Sequence, residues 1–226
     1  MTSGYGARRP YAGMVPTVLV TGFEPFADAR INPSWDAASA VAQMGVPGAH
    51  VVAVRLPVEF GRAAAELRDA IAAAEPDLVI ALGLAEGRAG ITPERVAVNL
   101  DDARIPDNAG ASPLDRPVVT DGPAAYFSTL PVKAIVEALT EAGIPGSVSM
   151  TAGTYVCNHV FYALQHATAG TAVRSGFIHV PATPEMGLPE SVATVPTATI
   201  AQGVVVAIQI SLARHDDVAV RGGSLH

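Results

Sequence analysis

The sequence predicts a single-domain α/β protein whose mostly parallel, twisted sheet is covered by helices on both faces. Short apolar runs alternate along the chain with segments that carry apolar residues at helical spacing. These runs are hydrophobic throughout, which is typical of parallel strands buried on both faces. The 226 residues are enough for one domain with a large core.

The first half of the chain predicts three strands and two helices. Asn32 followed by Pro33 is a favourable N-cap and first-turn pair, so a helix begins there and continues to about Met44. Glycine and proline residues bound the other elements: strands over 17–21, 50–56 and 78–82, and a helix over 61–74. The third strand runs into a glycine-rich loop over 83–90.

The second half predicts a strand over 94–100, where apolar and polar residues alternate. Residues 101–117 form a long irregular loop, and such loops are often functional. The remaining predicted elements are a helix over 131–142, a buried strand over 146–150, a strand over 176–180 and a helix over 197–214. The α/β domain therefore spans 17–214, with flexible tails at 1–16 and 215–226.

Composition excludes several classes of function. The formal net charge is −7 and the basic residues form no cluster, so nucleic acid is not an expected partner. No apolar run approaches the roughly 20 residues of a membrane span. A single cysteine suits a reducing cytoplasm. Neither zinc-ligand spacing nor a nucleotide-binding motif is present, so we expect no metal or cofactor.

Cys157, the only cysteine, follows a glycine- and threonine-rich turn and lies near the start of a predicted helix. The positive end of a helix favours an anion, so we expect a lowered thiol pKa and a nucleophilic thiolate. The alternative is an inert buried cysteine, which is common for a lone free thiol.

A cysteine nucleophile needs a base and an acid that orients it. His179 ends a buried strand and is the candidate base, although a structural histidine remains an alternative. The other histidines are expected to be surface or structural residues: His50, His159, His166, His215 and His226. Glu94 is the candidate acid, and spacing does not separate it from Glu86 and Asp107, which lie in loops at the same sheet edge.

Seven segments carry a more specific pattern: 21–26, 32–35, 91–99, 103–108, 121–126, 151–159 and 176–181. In this order they resemble pyroglutamyl peptidase I (pyrrolidone-carboxylate peptidase), a family of cysteine peptidases with an α/β fold. The resemblance extends from about Val18 to Arg214. It implies a cysteine omega-peptidase that removes N-terminal pyroglutamate (5-oxoproline) from peptides through a thioester, without a cofactor.

The resemblance also implies roles for individual residues. Cys157 is the nucleophile, His179 the base and later the acid, and Glu94 orients the imidazole. The implied substrate-binding residues are Phe23, Phe26, Asn32, Arg104, Ile105, Tyr155 and Val156. The implied partners are peptides with N-terminal pyroglutamate and, by analogy alone, further copies of the chain in a homo-oligomer, a tetramer.

The chain departs from the family pattern at three places. Ala27-Asp28 stands where two glycines are usual, Glu86 replaces a small residue, and Val58 stands where threonine is common. Two other classes of function stay open: a nucleoside-phosphorylase-like enzyme, for which no phosphate site is found, and a non-catalytic ligand-binding or thiol-redox protein.

Overall fold

The computed structural model describes residues 14–223. Its strands are β1 (Thr17–Phe23), β2 (His50–Leu56), β3 (Leu78–Leu84), β4 (Thr92–Pro93), β5 (Val96–Val98), β6 (Ala125–Phe127) and β7 (Arg174–Val180). Its helices are α1 (Pro33–Met44), α2 (Arg62–Ala74), α3 (Val132–Glu141), α4 (Val156–Thr168) and α5 (Thr197–Ala213), with a short 3₁₀ turn at Pro184–Met186. The predicted α/β class is confirmed.

The main sheet has five strands in the order β2-β1-β3-β7-β4. All neighbours are parallel except β4, which pairs antiparallel with β7 at the sheet edge. β5 and β6 form a separate two-stranded antiparallel sheet. The sheet is therefore mostly parallel, and the last strand in the sequence lies inside it.

Alternate residues of the strands enter two different cores. Val18, Val20 and Ile80 pack in a core with residues of α1, α3 and α5. Leu19 and Val79 pack in a second core with residues of α2 and α4. Helices therefore cover both faces, as the continuous apolar strands predicted.

The predicted buried strand over 146–150 is wrong. This segment makes isolated parallel bridges, Ile91 with Gly146 and Glu94 with Ser149, and none of its five residues is buried. Its serines and glycine bury little apolar surface, so the segment runs along the outer edge of β4. The strand predicted over 94–100 is shorter in the structure: Val96–Val98 pairs with β6, and Glu94 forms only the isolated bridge with Ser149.

The C-terminal segment after α5 contacts the start of α3. The Asp217 carboxylate accepts hydrogen bonds from the backbone N–H groups of Lys133 and Ala134 at 2.9–3.1 Å. The N-cap residue of α3 is Pro131, which has no side-chain acceptor. Asp217, more than 80 positions later in the sequence, accepts from these donors instead. The boundaries predicted for the tails stay predictions, and residues 1–13 and 224–226, including His226, lie outside the described residues.

Between residues 14 and 223, the structure contains no helix that is both long and apolar enough to cross a membrane.

Candidate active site

The candidate site lies where β3 and β7 end and α4 begins. Gly83 of β3 pairs with His179 of β7 in the parallel register. Helix α4 starts at Val156, so Cys157 is its second residue. The preceding turn passes through Gly153, whose φ of 80° lies in the left-handed region that favours glycine.

Gly83 provides the space in which the thiol sits. A Cβ built on Gly83 would lie only 2.9 Å from Sγ of Cys157 and 2.7 Å from the Phe177 ring. Paired residues of neighbouring parallel strands point to the same face, so His179 faces α4 alongside this glycine. The register therefore brings the Cys157 thiol and the His179 imidazole to the same place on the sheet.

The antiparallel pairing of β4 with β7 brings Glu94 to the imidazole. Thr92 pairs with His179, and the backbone N–H of Glu94 donates to the carbonyl of Phe177 at 2.9 Å. Because side chains alternate along a strand, Glu94 and His179 lie on the same face. Nδ1 of His179 is 2.7 Å from Oε1 of Glu94, whose side chain is 0% exposed. Nδ1 thus carries the hydrogen, and Nε2 is left as the basic nitrogen.

Arg88 completes this cluster, and the sequence reasoning missed it. Its Nη1 donates to Oε1 of Glu94 at 2.5 Å and to the hydroxyl of Thr92 at the same distance. Its Nη2 donates to the carbonyl of Thr151 at 3.2 Å. The only signal in the sequence was a basic residue inside the glycine-rich loop before Glu94.

The expected lowering of the Cys157 pKa is wrong in this structure. Although Cys157 is partly exposed, burial of the thiol raises its pKa to about 12; the Glu94 charge adds to this and Arg88 opposes it. Burial also lowers the pKa of His179, with Glu94 opposing. The resting pair is therefore a thiol beside a neutral imidazole, because desolvation outweighs the helix terminus.

An apolar pocket of about 180 Å³ opens beside the thiol. It is smaller than the roughly 300–1,000 Å³ of clefts that hold drug-sized ligands, so it suits one small group. All its lining residues are uncharged, the resting thiol included: Phe23, Phe26, Asn32, Val58, Leu84, Ile105, Tyr155, Val156 and Cys157. Six of the seven substrate-binding residues implied by the resemblance are among them.

Several of these residues are held in place by one another. The Asn32 side chain accepts from the N–H and hydroxyl of Ser34 and donates to the Glu24 carbonyl, so it fixes the loop that carries Phe26. The Tyr155 ring packs edge-on against Phe26, at 5.7 Å between centroids. The wall is therefore assembled by contacts within the protein.

Arg104, the seventh implied residue, lies elsewhere. It is exposed and lines a neighbouring cavity of about 370 Å³ with Asp102, Ile105, Thr154 and Tyr155. This cavity shares Ile105 and Tyr155 with the apolar pocket. The structure thus brings Arg104 to the rim of the site and not beside the thiol.

The rival acids have other environments. Glu86 is exposed in the loop after β3. Asp107 is buried, and its carboxylate accepts backbone hydrogen bonds from Phe60, Ala109 and Ala111. Asp107 therefore holds its loop together, and neither acid contacts the imidazole.

His159 forms a second buried pair with a carboxylate. Its Nδ1 is 2.8 Å from Oδ2 of Asp101, and its Nε2 accepts from the N–H of Gly61 at 3.0 Å. Both ring nitrogens are thus engaged: Nε2 ties α4 to the start of α2, and Nδ1 ties it to the loop that carries Asp101. This is the structural role expected for His159, whereas His50, His166 and His215 are exposed.

The departure at Ala27 has a backbone consequence. Ala27 has a φ of 50°, a left-handed conformation that is unfavourable for residues other than glycine. Its N–H donates to Oδ1 of Asn108 at 3.3 Å, which links the first loop to the 105–108 loop. Val58 is buried in the pocket wall, where a threonine would present a hydroxyl.

No group of three or more potential metal ligands occurs among the residues that the structure describes.

The chain matches a family model and is similar in sequence to known peptidases. A family profile described as pyroglutamyl peptidase matches residues 16–214. The pyrrolidone-carboxylate peptidase of Streptomyces coelicolor is 54% identical over 213 residues, which are 92% of this chain and 99% of that protein. The corresponding peptidase of Erwinia tasmaniensis is 52% identical over 210 residues, 92% of this chain and 99% of that protein.

Solved structures of peptidases with the same names are also similar to this chain in fold. The crystal structure of pyroglutamyl peptidase I from Bacillus amyloliquefaciens is similar with a TM-score of 0.89 and 41% identity, covering 92% of this chain and 100% of that chain. Pyrrolidone carboxyl peptidase from Thermococcus litoralis gives a TM-score of 0.85 and 38% identity, covering 91% and 99%.

Proposed function

Because this chain belongs to the pyroglutamyl peptidase family, it is a cysteine peptidase that removes N-terminal pyroglutamate from peptides, and we propose that Cys157, His179 and Glu94 perform the reaction. The observation that carries the assignment is the 2.7 Å contact between the His179 ring and Glu94, beside the glycine that makes room for the thiol. This pairing leaves Nε2 free to take a proton from Sγ.

The first half of the reaction forms a thioester. Sγ of Cys157 attacks the pyroglutamyl carbonyl carbon while Nε2 of His179 takes the thiol proton, since the resting pair is neutral. The negative charge that develops on the carbonyl oxygen is stabilised by the backbone N–H of Cys157 in the first turn of α4, where no intrahelical acceptor exists. The imidazolium then protonates the leaving nitrogen, the C–N bond breaks, and the shortened peptide departs.

The second half releases pyroglutamate. His179 takes a proton from water, and the resulting hydroxide attacks the thioester carbonyl. The C–S bond breaks, and the proton on the imidazole returns to sulfur, which restores the thiol. The Glu94 carboxylate stabilises the imidazolium in both halves by accepting from Nδ1.

The apolar pocket accounts for the choice of first residue. Pyroglutamate is a lactam without a charged amine, so it loses little on entering an uncharged pocket between Phe23, Phe26 and Tyr155. A free N-terminal ammonium would be buried there without a partner, which is costly. We assign Asn32, Ile105 and Val156 to the same pocket and Arg104 to its rim.

We propose that the enzyme acts in the cytoplasm as a homotetramer. The single cysteine is suited to a reducing cytoplasm, and the family analogy favours a homotetramer. Neither a metal nor an organic cofactor has a step to perform in this mechanism.

The test compares hydrolysis of a pyroglutamyl–fluorophore with hydrolysis of a prolyl–fluorophore, which has a methylene in place of the lactam carbonyl and therefore a charged secondary amine. We expect cleavage of the first alone, and Cys157→Ala is expected to abolish it with unfolding temperature unchanged. If Cys157→Ala retained more than about a thousandth of kcat/KM, a loss of only ~4 kcal/mol, the nucleophile assignment would fall.

A further inference from the structure

The Arg88 guanidinium joins three segments of the candidate site. Arg88 belongs to the loop after β3, and its hydrogen bonds reach Thr92 and Glu94 on one side and the carbonyl of Thr151 on the other. Thr151 begins the turn that leads to Cys157. One planar side chain thus connects the loop, the acid and the approach to the nucleophile, a geometry that an arginine fork supplies and a lysine ammonium does not.

The Glu94 carboxylate needs this contact. Its side chain is 0% exposed, and Oε1 accepts from both Arg88 and His179. Oε2 has no hydrogen-bond partner within residues 14–223. A buried carboxylate without a compensating charge is strongly unfavourable, and a neutral imidazole supplies none. Arg88 is the cation at hydrogen-bond distance from it.

We propose that Arg88 is a positioning residue for the hydrolysis: its fork fixes the Glu94 carboxylate against the His179 ring, and its charge balances the carboxylate. This inference rests on the proposed roles of Glu94 and His179. Without the fork, the carboxylate can rotate about its side-chain bonds and the imidazole loses its orientation toward the thiol. Arg88 itself touches neither the reacting carbonyl nor the sulfur in this mechanism.

The charge of Arg88 also affects both titrating partners. Two charged groups act on His179 and Cys157 alike: the Glu94 carboxylate and the Arg88 guanidinium. Arg88 lowers the pKa of His179 and that of Cys157, because a nearby cation disfavours the imidazolium and favours the thiolate. Removing the cation therefore raises both pKa values. Since only the neutral imidazole acts as base, the acidic limb of kcat/KM moves to higher pH.

The surroundings of Arg88 allow a direct rescue experiment. The side chain is 30% exposed and lines an open cavity of about 600 Å³ together with Thr92 and Thr151. If the side chain is shortened, a small guanidinium compound can enter from this cavity and occupy the same position. Methylguanidinium is the probe, used at millimolar concentrations that do not denature the protein.

The experiment measures kcat, KM and the pH profile for Arg88→Ala and Arg88→Lys, with Arg62→Gln as the control. Arg62 is exposed and pairs with Glu59 and Glu66, far from the candidate site in the sequence, so its loss is expected to leave kcat, KM and the pH profile unchanged. We expect Arg88→Ala to lose about 100-fold in kcat with little change in KM, the cost of a misplaced catalytic group. Its acidic limb is expected to move to higher pH, because the cation that lowers the His179 pKa is gone.

Arg88→Lys separates charge from geometry. Lysine keeps the positive charge, so the acidic limb stays near the wild-type position, but kcat falls because one ammonium does not reach all three acceptors. Methylguanidinium is expected to restore part of the activity of Arg88→Ala and to leave Arg62→Gln unaffected.

Two results would overturn the proposal: full activity of Arg88→Ala, or lost activity with an unmoved acidic limb and no rescue, which indicates a structural role alone. If Arg88→Ala fails to fold by circular dichroism, Arg88→Lys decides, and an unchanged kcat in that variant refutes the positioning role. Glu94→Gln keeps the two hypotheses apart. If Glu94→Gln keeps full activity, the proposed role of Glu94 is wrong. If Glu94→Gln loses activity while Arg88→Ala keeps it, only the proposed role of Arg88 is wrong.

Discussion

Replacing Gly83 with alanine displaces the thiol without removing any catalytic group. The new Cβ would lie 2.9 Å from Sγ of Cys157 and 2.7 Å from the Phe177 ring. Heavy atoms in contact prefer separations of about 3.5–4.0 Å, so the sulfur has to move by roughly 0.6–1.1 Å. Phe177 is fully buried against Phe161, which leaves the thiol at the helix start as the easier group to shift.

A displacement of about 1 Å at a reacting atom costs about 100-fold in rate, so kcat/KM is expected to fall by that factor. Overpacking typically costs ~1–3 kcal/mol. For a chain of this length that corresponds to a fall in Tm of roughly 2–12 °C. The measurements are hydrolysis of the pyroglutamyl–fluorophore and thermal unfolding of the same preparation.

Gly87→Ala is the matched control, because a Cβ at Gly87 meets nothing within 4 Å. It is expected to keep wild-type kcat/KM. If Gly83→Ala also kept kcat/KM within a factor of about three, under 1 kcal/mol, the thiol would not sit over this glycine and the site geometry would be wrong.

Three further predictions follow from the same geometry. Glu94→Gln is expected to lower kcat by up to ~10⁴-fold with an unchanged Tm, because the amide does not stabilise an imidazolium. Glu86→Gln, at an exposed position, is expected to leave kcat unchanged. If Glu86→Gln lowered kcat and Glu94→Gln did not, Glu86 would be the acid. Iodoacetamide is expected to alkylate Cys157 slowly at pH 7 and faster as the pH rises toward the thiol pKa of about 12, since burial disfavours the thiolate. An inflection in that rate below about pH 8.5, the ordinary thiol value, would contradict the desolvated thiol. Ala27→Gly is expected to raise the free energy of unfolding by ~1 kcal/mol, because it relieves a φ of 50°; urea denaturation that gave no gain would show that this backbone is unstrained.

Local chemistry explains which parts of the fold were predictable. Asn32 and Pro33 predicted the start of α1 because capping is decided within three residues, and the Asn32 side chain does accept from Ser34. His179 stood out because a polar residue at the end of an apolar strand is conspicuous. The position of Cys157 in the first turn of α4 was likewise set by the turn before it.

Long-range contacts account for what was not predicted. Arg88 contacts Thr151, 63 positions away, and no local sequence pattern predicts a contact over such a separation. The segment at 146–150 looked like a strand because it contains apolar residues, yet its place at the sheet edge depends on pairing with Ile91 and Glu94. The Cys157 pKa was predicted in the wrong direction because desolvation is a property of the assembled pocket, whereas the helix terminus is visible in the sequence.

The position of β7 inside the sheet has a consequence for synthesis of the protein. β3 (Leu78–Leu84) is covered on one edge by β1, and its other edge pairs with β7, which is made about ninety residues later. At the roughly 5–20 residues per second of translation, this apolar edge stays open for several seconds on the ribosome. An open apolar strand edge is a template for pairing with another chain. The nascent polypeptide is therefore most prone to self-association in that interval, and slower elongation between residues 84 and 174 lengthens it.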